Sequence, residues 1–208
     1  MGQQNGWPVV ETLAAFAIVF LLQWITAFAG VVGGLFVLST PIIENPWTII
    51  TSVYAHSGPE HLLSNSVALV LFGWPVARAT TRLRFHFFFI LTGAVAGLSQ
   101  VLVRDALAGA PIIQTTGSVG VLGASGAVFA LLGYLLASNR LSGTISELFS
   151  VPRWLTYLIF IGTAGVLTLA TAQPGVALIA HFTGLLVGLL AGRLNLLAPP
   201  VEVTTTRR

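Results

Sequence analysis

VGVLGASGAVFALLGYLLAS, residues 119–138, runs for twenty residues without a charge. That is the length a helix needs to cross the hydrocarbon core of a bilayer, about 20 apolar residues. Five further segments share this character, at about 11–38, 60–77, 85–103, 154–171 and 175–194. Lipid offers no partners to backbone N–H and C=O groups, so spanning segments of this kind must be helical. The expected fold is therefore an all-α membrane protein, a six-transmembrane helical bundle forming one domain over residues 1–208.

Composition agrees. The chain is 55% hydrophobic and 7% charged, against roughly 25% charged in a soluble domain. It has no cysteine, which excludes disulfides, thiolate metal sites and cysteine nucleophiles. Its nine basic residues are all arginine, too few and too scattered for a nucleic-acid surface, so no nucleic-acid partner is expected. The N-terminus does not read as a signal peptide. It lacks a basic region, and the uncharged stretch after Glu11 reaches Leu38, longer than a signal core. A retained first span is expected.

The arginines report orientation. Arg78, Arg82 and Arg84 follow span two, Arg140 and Arg153 flank the link after span four, and Arg193, Arg207 and Arg208 lie at or beyond the end of span six. The links between spans one and two and between five and six carry none, and only Arg104, beside Asp105, breaks the alternation. The positive-inside rule then puts both termini in the cytoplasm. Spans two, four and six all start at the outer face. Ser125 and His181, each six residues into its span, are expected roughly 9 Å below that face. His61 and Asn65 open span two on the same side.

A polar residue inside a membrane is costly and usually functional. Ser125 lies in Gly123-Ala124-Ser125-Gly126, within a glycine-rich approach that begins at Gly117. Glycine permits unusual dihedrals and close backbone approach. Free N–H groups near a helix start could stabilise an oxyanion. Small residues of this kind also mark plain helix-packing faces. His181 begins Ala180-His181-Phe182-Thr183-Gly184, and glycines recur at 184, 188 and 192. That groove lets another helix approach closely. If that helix is span four, His181 is drawn towards Ser125 and can serve as its base. The alternative is a buried histidine bonded to a backbone carbonyl. The carboxylates on the outer side, Glu44, Glu60 and Asp105, lie in loops or at a span edge. A Ser–His dyad is therefore expected, with His181 oriented by packing and Phe129 stacked on its ring. The stretch His56-Ser57-Gly58-Pro59-Glu60-His61-Leu62-Leu63-Ser64-Asn65 supplies side-chain donors four residues apart, His61 and Asn65, that could line an oxyanion hole. His56 is expected to brace the loop, and His86 to lie at the cytoplasmic interface.

In these residues the chain resembles the rhomboid family of intramembrane serine proteases. The resemblance covers nearly the whole chain. It rests on His56-x-x-x-x-His61-Leu62-x-x-Asn65, on Gly123-Ala124-Ser125-Gly126 and on Ala180-His181-x-x-Gly184-x-x-x-Gly188. It implies Ser125 as nucleophile and His181 as base, with His61, Asn65 and the Ser125 N–H stabilising the oxyanion. It implies supporting places for His56, Gly123, Gly126, Phe129, Gly184 and Gly188, and no cofactor or metal. After Leu71-Phe72-Gly73 the family often carries a glutamate and then a glycine in span two, where this chain has Trp74-Pro75-Val76-Ala77-Arg78-Ala79-Thr80; its loop Trp-Arg pair is missing, Trp47 being followed by Thr48, and the loop after span one is short.

The expected activity is hydrolysis of peptide bonds in or near transmembrane segments of membrane-protein substrates. Such a segment must unwind locally, so small or helix-breaking residues should be favoured near its outer end. Gly58, Pro59, Pro174 and Gly175 fit a mobile entrance. The expected partners are transmembrane protein substrates and the lipid bilayer. The expected setting is the plasma membrane of a prokaryote, with the site open to the non-cytoplasmic side. The alternatives are a catalytically inactive relative that binds membrane clients, and a small transporter using His181 as a proton relay. Transporters usually show repeats and intramembrane acids, and the chain has neither.

Overall fold

The computed structural model describes residues 6–108, 120–138, 152–173 and 175–198. Helix α1, Trp7–Ala27, carries Pro8 in its first turn, where a missing N–H costs nothing. The expected span over 11–38 is not one helix. Twenty-eight residues would rise about 42 Å, well past a core of about 30 Å. The chain instead turns at Gly30, with φ 69°, and enters an excursion over residues 28–58. This holds the short helix α2, Val32–Phe36, a 3-10 turn at Ile42–Glu44 and helix α3, Thr48–Tyr54. The link read as short is thus a folded layer. Trp47 Nε1 donates to Gly34 O at 2.8 Å, and Thr51 Oγ1 to Leu35 O at 2.5 Å. Those bonds answer the need for satisfied backbone groups outside regular helix.

The second long segment comprises α4, Pro59–Ala68, a π-turn over Leu69–Gly73 and α5, Trp74–Ala79. Pro75 explains the π-turn. Its ring lacks an N–H and crowds the carbonyl four residues earlier, so the ladder widens by one residue there. Helix α6, Arg82–Leu107, is capped by Thr81 and exceeds the expected 85–103 at both ends. Arg82, Arg84 and Arg104 belong to it, their long stems able to carry charge outward.

Helix α7, Ser125–Ser138, starts later than expected. Residues 120–124 lie outside any helix, with a single β-bridge at Val121, and Val119 lies outside the described residues. Leu38 and Val121 exchange two backbone bonds, at 2.9 and 2.8 Å, and Gly123 N donates to Ser52 O at 2.9 Å. The excursion after α1 therefore satisfies the segment that leads into α7. Helix α8 is Arg153–Ala170 and α9 is Leu178–Arg193.

Three helices, Trp7–Ala27, Pro59–Ala79 and Arg82–Leu107, are long and apolar enough to cross a membrane, and three shorter apolar helices accompany them. Helices α7 and α9 meet backbone to backbone. A Cβ on Gly184 would collide with Gly126 O, and one on Gly188 with Ala130 O. Lipid gives helices no hydrophobic reason to associate, so such close approach carries the packing. Phe16, Tyr54, Phe85 and Phe89 build an aromatic core between α1, α3 and α6. Helix α8 touches the body along one stripe, with Phe160, Ala164 and Thr168 buried.

The polar groups segregate by end. Glu11 on α1 accepts from Arg82 Nε at 2.9 Å and pairs with His86 Nε2 at 2.7 Å. The Arg84 guanidinium donates to Ala198 O. The start of α1, the start of α6 and the chain beyond α9 thus share one end. His86 sits at that end, against Glu11. Gln23, twelve residues beyond Glu11 and so about 18 Å along α1, accepts from His56 N at 2.9 Å. The histidine-rich segment therefore occupies the opposite end. Of the arginines used to read orientation, Arg140, Arg207 and Arg208 lie outside the described residues, as does the Arg153 side chain.

Candidate active site

Ser125 is the first residue of α7, not the second turn of a longer helix. Ala124 O accepts the first helical bond, from Val128 N at 2.9 Å. The N–H groups of Ser125, Gly126 and Ala127 therefore have no partner within the helix. Fourteen residues rise about 21 Å, so a helix with Ser138 at one face of a core of about 30 Å leaves Ser125 about 9 Å short of the other. Ser125 is thus reached by a non-helical approach and followed by a short helix. Gly123 makes that approach possible. Its φ of 133° is open to few side chains, and an added Cβ would lie 2.7 Å from His61 Cε1 and 2.9 Å from Nε2.

His61, on the first turn of α4, thus lies directly against the residue two before Ser125. Its other nitrogen, Nδ1, faces Ser57, with Oγ at 3.0 Å and the Ser57 N–H at 3.4 Å. The backbone N–H can only donate, so Nδ1 accepts and Nε2 carries the hydrogen. The donor therefore points to the Gly123 side. Asn65 is buried, and its Nδ2 donates to His61 O at 3.0 Å. One of its two amide hydrogens is thus committed within α4 rather than aimed outward, and the other is left for a ligand.

His181 lies on the first turn of α9, which begins at Leu178 rather than at 175. Its ring stacks on Phe129, with centroids 4.3 Å apart and planes 16° from parallel. Phe129 is four residues past Ser125, hence on the same face of α7. Packing alone does not orient the imidazole, since Thr171 Oγ1 lies 3.1 Å from Nδ1. Gly126 and Gly184 hold the two helices together beside this pair, and Gly188 continues the contact one turn on. Gln100 Oε1, on α6, accepts from Ala180 N at 3.1 Å, an N–H that the start of α9 leaves unpaired. A cavity of about 10 Å³ beside Ser125 is lined by Ser52, Gly93, Gly97, Leu122 and Ala180, room for one water.

His56 is buried. Its ring packs edge-on to Phe16 at 4.8 Å and to His61 at 5.2 Å. Burial, and then the charge of neighbouring His61, push its pKa down to about 4. That ring is neutral at pH 7. Of the entrance residues, Gly58 is extended at φ 176° and Gly175 is left-handed at φ 85°, while Pro174 lies outside the described residues. Gln23, Ser57, Gln100 and Thr171 were not singled out by sequence. Ser57 alone carried a visible signal, four residues before His61.

A family model for the rhomboid domain matches residues 44–197. The chain belongs to the rhomboid family, and it is a multi-pass membrane protein. It is 32% identical over 157 residues to RHOMBOID-like protein 5 of Arabidopsis thaliana, covering 74% of this chain and 45% of that protein. RHOMBOID-like protein 4 of the same plant is 29% identical over 175 residues, 80% of this chain and 38% of its own length. Rhomboid protease GlpG of Haemophilus influenzae is 26% identical over 148 residues, 70% of this chain and 68% of that protein. The chain thus spans less than half the length of these plant relatives.

Proposed function

We propose that the chain is an intramembrane serine endopeptidase, in which Ser125 attacks a peptide carbonyl in or beside a transmembrane segment and His181 is its general base. One observation carries this reading: two histidines from other helices flank the start of α7, where Ser125 lies, His61 against Gly123 and His181 stacked on Phe129. His181 takes the Oγ proton and later returns it to the leaving amine. The oxyanion meets the Ser125 N–H, the His61 Nε2–H and the remaining Asn65 amide hydrogen. Losing one such donor typically costs about 100- to 1000-fold in rate. The substrates are transmembrane proteins whose helices unwind readily near the outer end.

Six spans with both termini cytoplasmic fit this reading. The shared end of α1, α6 and residue 198 supports it, and the histidines then open to the non-cytoplasmic side. A prokaryotic plasma membrane is the setting we favour.

The test is fluorophosphonate labelling and cleavage of a transmembrane substrate in proteoliposomes. Wild type should label and cleave, and Ser125→Ala and His181→Ala should do neither while remaining folded. A folded wild type that does neither in lipid leaves the inactive client-binding reading.

A further inference from the structure

We propose that Thr171 is a positioning residue for His181, and that the carboxyl end of α8 stands where a serine hydrolase usually keeps a carboxylate. Its catalytic part rests on the serine–histidine reading above. Its structural part rests on the geometry alone.

The hydrogens can be assigned. Thr171 Oγ1 lies 2.8 Å from Thr168 O and 3.1 Å from His181 Nδ1. A hydroxyl has one hydrogen and two lone pairs, and a carbonyl only accepts. The hydroxyl hydrogen therefore goes to Thr168 O, and Thr171 offers Nδ1 a lone pair. Nδ1 must then carry the ring hydrogen, which leaves Nε2 as the basic nitrogen. This is the tautomer a general base needs. Phe129 fixes the plane of the ring, and Thr171 fixes its rotation and its hydrogen.

The second contact in the chain supplies charge. Thr168 lies in the last turn of α8, where carbonyls lack helical donors and together carry partial negative charge. Thr168 O also accepts from Thr171 N at 3.1 Å. The path Nδ1–H to Thr171 Oγ1–H to Thr168 O thus leads into the negative end of a helix. Among the described residues, Glu11 and Asp105 bond elsewhere, and His181 makes no bond to a carboxylate. When Ser125 Oγ forms its bond to the substrate carbonyl carbon, its proton passes to Nε2. The Nδ1 and Thr171 hydrogens stay where they are; the Nδ1–H bond strengthens because its donor is now an imidazolium, and it polarises the hydroxyl that donates to Thr168 O.

The experiment compares wild type with Thr171→Ser, which keeps the hydroxyl, and Thr171→Val, which keeps the shape. Nitrogen-15 spectra of histidine-labelled protein in detergent report the tautomer, with His181→Gln identifying the signal. Wild type and Thr171→Ser should show hydrogen on Nδ1, and Thr171→Val should lose that preference. In cleavage, Thr171→Val should lower kcat by about 10- to 100-fold with KM unchanged, and Thr171→Ser should restore most of it. Hydrogen on Nε2 in the wild type overturns the proposal, even if Thr171→Val fails to fold. A folded Thr171→Val with wild-type kcat overturns the positioning role. If wild type and Ser125→Ala are equally inactive, the protease reading fails, and the spectrum still decides the Thr171 bond.

Discussion

Gly123 occupies a position no other residue could hold without moving its surroundings. Its φ of 133° is strained for a side chain, and the His61 ring fills the space a Cβ would need. Gly123→Ala should abolish fluorophosphonate labelling, because either Ser125 or His61 must shift. A labelling rate within about threefold of wild type would contradict this, given that a misplacement of about 1 Å can cost 100-fold. Ser57 acts more gently. Without its hydroxyl, His61 keeps only the long bond to the Ser57 N–H, and Ser57→Ala should slow labelling by about 10-fold. His56 bears on acid stability. The unfolded chain protonates this ring near 6.5 and the native one near 4. Stability is therefore full above the unfolded value and declines as pH falls from 6.5 towards 4, by up to about 3 kcal/mol. His56→Phe keeps an aromatic ring against Phe16 and should remove that loss. Thermal unfolding at pH 7 and pH 4.5 measures it, and equal acid sensitivity in both proteins counts against the assignment. At this scale the motifs were legible, because His61, Ser125 and His181 are rare polar residues in apolar runs. Thr171 was not. It lies ten residues before His181 across a turn, and a threonine at a helix end ordinarily bonds its own backbone, as this one also does.

Among the elements, hydropathy located the helices better than it located their ends. It sums apolar character without regard to dihedral angles, so residues 120–124 read as helix although they are not helical. Gly30 ended α1 at a place where the apolar run continued, and Pro75 widened the second segment into a π-turn inside a run of uniform character. The docking of α1 depends on a group hydropathy cannot weigh. Gln23 Oε1 is the acceptor for the buried His56 N–H. Gln23→Leu leaves that N–H without a partner and should cost about 1–3 kcal/mol. A drop in unfolding temperature in detergent, with no change in helix content, is the expected result, and an unchanged temperature would mean that another acceptor takes over.

For the whole molecule, orientation can be measured directly, because the chain has no cysteine. Single substitutions Glu60→Cys and Arg78→Cys place thiols at the two ends of the second segment. In intact cells a membrane-impermeant maleimide should label the first and not the second, with both labelled after lysis. The reverse pattern would invert the proposed topology. Arginine placement is the ground for this proposed orientation, since charge near a span end acts through position alone. The layer formed by residues 28–58 was not readable, because its bonds join residues far apart in the chain. Three of them, Leu38 to Val121 in both directions and Gly123 to Ser52, fasten that layer to the strand-like run before α7. The stretch leading to the serine thus has no independent footing. It opens only when the layer opens, so the amides of Leu38, Val121 and Gly123 should exchange with deuterium as one cooperative unit, at a common rate.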